Sequence, residues 1–198
     1  MKNLKTNKLL LLFTCCFLAL VSCDDDNDPI NNVCENSYVD NLINSVFAIN
    51  IDYDLYETMD LETHEYDIII NANGEICSVG YQNATAYAGG YTMEVINNTS
   101  GASYSGTHTF SQTALDYQAI TPVIVSSGDE ITVRRTILPG YGNLNETIGR
   151  IYRKTDFSPV PYPITEGNVV FQSSNFYGSG GPVINYGQPY IALGFKVD

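Results

Sequence analysis

From Phe47 onward the chain alternates. Phe47, Ile49, Ile51, Tyr53 and Leu55 take one side of an extended segment, and Ala48, Asn50, Asp52 and Asp54 take the other. That period of two predicts a half-buried strand. Residues 66–70 form a second strand and 76–81 a third, with the turn Asn71, Ala72, Asn73, Gly74 between them. Tyr91, Met93 and Val95 alternate next, and the polar turn at 97–101 folds 104–110 back on them as a hairpin. Residues 115–125 make one strand, or two broken at Pro122, since proline cannot donate to a ladder. A turn at 126–129 leads into Ile131, Val133, Arg135 and Ile137, and 148–153 follows as another strand. The proline-rich stretch 159–163 must run extended and unpaired. Residues 169–171 give a short strand, 175–186 a Gly-rich loop, and Ile191, Leu193, Phe195 and Val197 a closing strand. The one helical signal is Ser37, a candidate cap for a short turn over Val39, Leu42 and Ile43. Nine or ten short strands with regularly spaced turns predict an all-β fold, an antiparallel β-sandwich over 44–198, with a closed barrel as the alternative.

The amino terminus is different. Lys2, Lys5 and Lys8 precede an apolar run at 9–21, too short to span a bilayer comfortably, so 1–22 reads as a signal peptide. Leu20, Val21, Ser22 and Cys23 resemble the lipobox of bacterial lipoproteins. The resemblance implies cleavage before Cys23, a diacylglycerol on its thiol and an acyl chain such as palmitate on its amino group. Several chains together would anchor the protein stably to a membrane. Asp24, Asp25, Asp26 and Asp28 come directly after. This acidic run resembles the export signal of Bacteroidota-type surface lipoproteins, which implies an outer-membrane location facing outward. It would also serve simply as a spacer, repelled by anionic headgroups, and 23–43 as a whole reads as a lipidated acidic tether.

Charge narrows the partners. Lys and Arg number 9 against 22 Asp and Glu, a formal net charge of −13, so binding to a nucleic-acid backbone is excluded. The chain holds 15 Tyr, 16 Gly and no Trp, a composition that fits strands and tight turns. After removal of the leader and lipidation of Cys23, two thiols remain, Cys34 and Cys77. They are either a disulfide or two separate thiols. A bridge across that span would be worth on the order of 4 kcal/mol in the chain-entropy picture.

The order of turns and strands carries a second resemblance. It runs from Gly74, Glu75, Ile76 into Val79, Gly80, Tyr81, then through Tyr91, Thr92, Met93, Glu94, Val95. Thr121, Pro122, Val123, then Ser127, Gly128, Asp129, and finally Tyr162, Pro163 and Phe195 continue it. This is similar to uncharacterised β-sandwich domains of bacterial surface proteins, some of them found beside glycan-active modules. It implies a fold and no mechanism.

Candidate chemistry is sparse. The G-x-S-x-G elbow of serine hydrolases is broken at its last position in 101–105, and no H-E-x-x-H occurs. His64 reads as solvated in a polar stretch, and His108 lies on one face of a strand. With Cys34 and Cys77 the two histidines match a zinc site in number, but not in spacing. Asp52 and Asp54, two apart on the expected strand, share a face and are weak calcium candidates; a solvated acidic face is the simpler reading. The basic residues are more distinctive, since Arg134, Arg135, Arg150, Arg153 and Lys154 fall on two successive strands. Arg134, Arg150 and Arg153, with Tyr141 and Tyr177, are candidates for binding a carboxylate, sulfate or uronate, because guanidinium matches planar anions and tyrosine stacks on sugars. Internal pairing with Glu146, Asp129 or Glu130 is the alternative. The reading is a non-enzymatic binding or adhesion module at the outer-membrane surface, its partner a glycan or an outer-membrane protein, with no cofactor beyond the lipid. A ligand-free structural or accessory subunit of an outer-membrane assembly is the alternative.

Overall fold

A computed structural model describes residues 33–59, 62–139, 147–178 and 180–198. Cys23, the acidic run behind it, Tyr141 and Glu146 lie outside the described residues.

The chain enters the fold earlier than the tether reading places it. Cys34 is disulfide-bonded to Cys77, with Cα atoms 6.0 Å apart, and Glu35 exchanges backbone hydrogen bonds of 3.0 and 3.1 Å with Phe195. Helix α1 (Tyr38–Ile43) follows and passes without a break into a π-helical turn, Asn44–Ala48. Val39, Ile43 and Phe47, four residues apart, have no solvent exposure. This stripe is what makes 38–48 helical rather than tether. Ser37 precedes α1 but makes no side-chain capping bond.

The same stripe overturns the strand expected from Phe47. Phe47 packs its ring edge-on to Tyr53 at 5.1 Å and Phe171 at 6.0 Å, and that burial fixes it in the helical turn. Ile49 and Ile51 are left 82% and 92% exposed in the turn that follows. The strand begins only at β1 (Tyr53–Met59).

Three antiparallel sheets follow. The largest orders β11 (Val183–Ile184), β10 (Val169–Tyr177), β2 (Thr63–Ile70), β7 (Asp129–Ile137), β4 (Tyr91–Asn97) and β5 (Ser103–His108), with β9 (Ile164–Glu166) beside β10. A second orders β13 (Ala192–Val197), β3 (Gly74–Tyr81) and β6 (Asp116–Val125), and a third β1, β8 (Thr147–Lys154) and β12 (Gln188–Pro189). Among the described residues no sheet closes into a barrel; the fold is an all-β sandwich. The region read as a Gly-rich loop holds the end of β10 and the short strand β11, because Asn175 and Phe176 pair with Ile184 and Val183.

Alternation makes the core. On β2, His64, Tyr66, Ile68 and Ile70 are buried, as are Tyr91, Met93 and Val95 on β4 and Ile131, Val133 and Arg135 on β7. They meet Ile76, Val79 and Tyr81 of β3, Leu193 and Phe195 of β13, and the α1 stripe in one cluster. Tyr66 crosses that interior and donates its hydroxyl to the Ile191 carbonyl at 2.8 Å. Among the described residues no helix is long and apolar enough to cross a membrane.

Candidate functional site

The basic residues that sequence brings together are separated by the fold, because β7 pairs with β2 and β4 while β8 pairs with β1 and β12. On β7, Arg134 and Arg135 alternate, and Arg135 is the one turned inward, with no exposure.

Arg134 faces outward and is neutralised on both sides. Its Nη2 contacts Glu65 Oε2 across the β2 ladder, its Nε donates to the same oxygen at 2.6 Å, and its Nη1 donates to Glu94 of β4 at 3.2 Å. Tyr177 joins this group by donating its hydroxyl to Glu65 Oε1 at 3.4 Å. The acids are therefore neither of the expected strand neighbours, Asp129 and Glu130, but the cross-strand partners of Arg134. An arginine held by two carboxylates has little left to offer an anion.

Arg153 is committed as well. Its Nε donates to Asp54 at 3.2 Å, its Nη1 to the Tyr186 hydroxyl at 3.4 Å, and its guanidinium lies 3.5 Å from the Tyr56 ring centroid and 4.6 Å from that of Phe157. This pairing also answers the calcium candidates. Asp54 is tied to Arg153, and Asp52 lies in the turn before β1 rather than on the strand beside it. Among the described residues no group of three His, Cys, Asp or Glu could hold a metal ion.

Arg150 is different. It stands opposite Glu57 in the β1–β8 ladder, but the Glu57 carboxylate accepts the Thr85 N–H at 3.0 Å and hydroxyl at 2.9 Å. Among the described residues no acid comes within ion-pair distance of Arg150. Its Nε is buried without a hydrogen-bond partner, while the side chain as a whole stays partly exposed.

Tyrosines frame this arginine. The Tyr81 hydroxyl oxygen accepts the Arg150 N–H at 2.9 Å, and the Arg150 carbonyl accepts the Tyr190 N–H at 3.1 Å. Tyr152, two residues along β8, packs edge-on to Tyr190 at 5.3 Å and donates to Asn44 Oδ1 at 3.3 Å. Behind them the buried Asp40 carboxylate accepts the Asn44 amide at 3.0 Å and the Tyr117 hydroxyl at 3.2 Å. Burial, then Asp40, push the hydroxyls of Tyr117, Tyr152 and Tyr190 above their ordinary pKa, and Arg150 draws Tyr152 partly back. All three stay protonated at neutral pH, with their hydroxyls engaged by Asp40 and Asn44. Asp40, Asn44 and Tyr117 carried no sequence signal: α1 brings Asp40 to β8 from a segment read as tether, and the π-helical turn after it brings Asn44.

Both histidines are enclosed. His64 is fully buried rather than solvated, with Nε2 3.2 Å from the Thr58 hydroxyl. His108 is held between the Tyr104 hydroxyl at 2.7 Å and the Gln118 side-chain oxygen at 2.8 Å, over Phe110. Each imidazole is thus engaged within the fold.

A scan of protein-family models and a search of curated proteins find nothing that matches the chain.

Proposed function

We propose that this chain is a lipid-anchored protein of the outer-membrane surface that binds, without transforming it, an anionic group such as a carboxylate or sulfate on a glycan. The observation that carries the reading is Arg150, a guanidinium with a buried and unsatisfied Nε and no acid at ion-pair distance among the described residues. The partly exposed guanidinium keeps its terminal N–H groups to offer an anionic acceptor. The anchor rests on the lipobox at Cys23 and the outward location on Asp24, Asp25, Asp26 and Asp28.

Calorimetric titration with oligogalacturonate and with a sulfated oligosaccharide tests the binding. Wild type should bind one of them, and Arg150→Ala should weaken it at least about tenfold, the loss of roughly 1.4 kcal/mol expected for one charge-assisted contact. Equal affinity in the variant rejects the reading. For the anchor, Cys23→Ala should abolish palmitate labelling and release the protein from membranes. Changing the four aspartates to alanine should keep the label but reduce protease shaving of intact cells.

A further inference from the structure

We propose that the exposed ring of Phe157 is a stacking platform for a neutral pyranose, a second recognition site that stands independently of Arg150. Phe157 is 64% exposed, in a turn closed by its own N–H donating to the Lys154 carbonyl at 3.0 Å. Its φ is +61°, a backbone region that glycine enters freely and a bulky residue enters only at a cost. The chain thus places a large aromatic ring where the backbone favours no side chain at all.

The ring is fixed from below. The Arg153 guanidinium lies 4.6 Å from its centroid and is itself held by Tyr56, Asp54 and the Tyr186 hydroxyl. Tyr186 in turn packs edge-on to the buried Phe176 at 6.1 Å. Tyr56 already covers Arg153 at 3.5 Å, and Phe157, though 4.6 Å from the same guanidinium, remains 64% exposed. A rigid, exposed aromatic ring attracts the C–H face of a sugar.

The rim selects the ligand. The Asp54 and Asp156 side chains are 45% and 63% exposed. Asp156 is oriented by the Ser158 hydroxyl at 2.7 Å and N–H at 2.9 Å, and Lys154 Nζ stands 3.5 Å from it. Carboxylates accept hydrogen bonds from hydroxyls, and with Asp54 and Asp156 each paired to a base the rim leaves, among the described residues, no free cation for an anion, so the fitting ligand is an uncharged hexose unit. Asp52, exposed in the neighbouring turn whose carbonyl accepts the Thr155 N–H at 2.9 Å, adds a further negative charge. An anionic lipid surface is disfavoured for the same reason, although Ile51 is also exposed in that turn.

The chain contains no tryptophan, so Phe157→Trp creates a single indole reporter at the platform. It is titrated with neutral cello-, malto-, manno-, xylo- and chito-oligosaccharides, and wild type with the same panel by calorimetry. At least one series should shift the indole emission saturably and bind wild type. Phe157→Ala should then lose that binding at least tenfold while melting within a few degrees of wild type, and Asp156→Asn should weaken it severalfold. No response to any member of the panel, or equal binding by Phe157→Ala, overturns the proposal. An emission shift on phosphatidylcholine vesicles without any response to sugar overturns it in favour of a membrane-contacting tip. Failure here is separate from failure at Arg150, which is read with anionic ligands.

Discussion

His64 and Arg135 stand opposite one another in the β2–β7 ladder, both fully buried on the inner face of the large sheet. Arg135 donates Nη1 to the Glu62 carbonyl at 3.1 Å and lies 4.9 Å over the Tyr91 ring. Gly149 of β8 closes against the pair from the third sheet. A Cβ at that position would land on Arg135 Nη2 and come 3.0 Å from His64 Nε2.

Gly149→Ala should therefore destabilise the domain by about 1–3 kcal/mol through overpacking, despite the usual advantage of alanine over glycine in a strand. Denaturant melts read this directly. A variant as stable as wild type would mean that β8 can shift away from the large sheet at no cost.

The same pair sets a pH response. Burial, and then Arg135, lower the His64 pKa well below its ordinary 6.5, so the folded chain keeps the imidazole neutral where the unfolded chain takes a proton. The resulting stability is fully present above pH 6.5 and is lost as the pH falls below it toward the folded value. His64→Gln cannot titrate. The drop in melting temperature between about pH 7.5 and 5 should be smaller in His64→Gln than in wild type; equal drops would show that His64 does not contribute.

Strand order and the inner face were readable because alternation reports burial directly, as at Tyr91, Met93 and Val95. Alternation failed at 47–51, where Phe47, Ile49 and Ile51 satisfy a period of two and Val39, Ile43 and Phe47 a spacing of four. Only the packing of Phe47 against Tyr53 and Phe171 decides between them. The site was less legible still. Closeness of Arg134, Arg150 and Arg153 in sequence said nothing of which sheet each strand would join. The acids of Arg134 and Arg153, which are Glu65, Glu94 and Asp54, come from strands remote in sequence. Phe157 carried no signal, because a left-handed backbone at a non-glycine residue is invisible in composition and period.

The disulfide ties the entry segment to β3 across 43 residues. Chain-entropy reasoning gives about 4 kcal/mol for a loop of that size. Replacing Cys34 and Cys77 together by serine should cost about 3–4 kcal/mol in a denaturant melt and loosen α1, seen as faster hydrogen exchange over Tyr38–Ile43. Peptide mapping without reductant should find the Cys34 and Cys77 peptides joined. Two unlinked peptides would remove this cross-link from the account of stability.

Arg150 and Arg153 lie on one strand and should part company when truncated. Arg153 has a side chain 13% exposed, an ion pair to a 45%-exposed Asp54, and contacts to two aromatic rings. The exposed acid limits the ion pair to about 0–1 kcal/mol, and the stacked rings add about 0.5–2 kcal/mol. Arg153→Ala should then lose about 1–3 kcal/mol. Among the described residues Arg150 makes no side-chain hydrogen bond that truncation would break, and its Nε is an unsatisfied buried donor whose removal relieves a penalty. Arg150→Ala should be neutral within about 0.5 kcal/mol, or stabilising. Paired thermal melts decide. A loss in Arg150→Ala as large as in Arg153→Ala would make Arg150 a structural residue and leave the anion-binding proposal without its anchor.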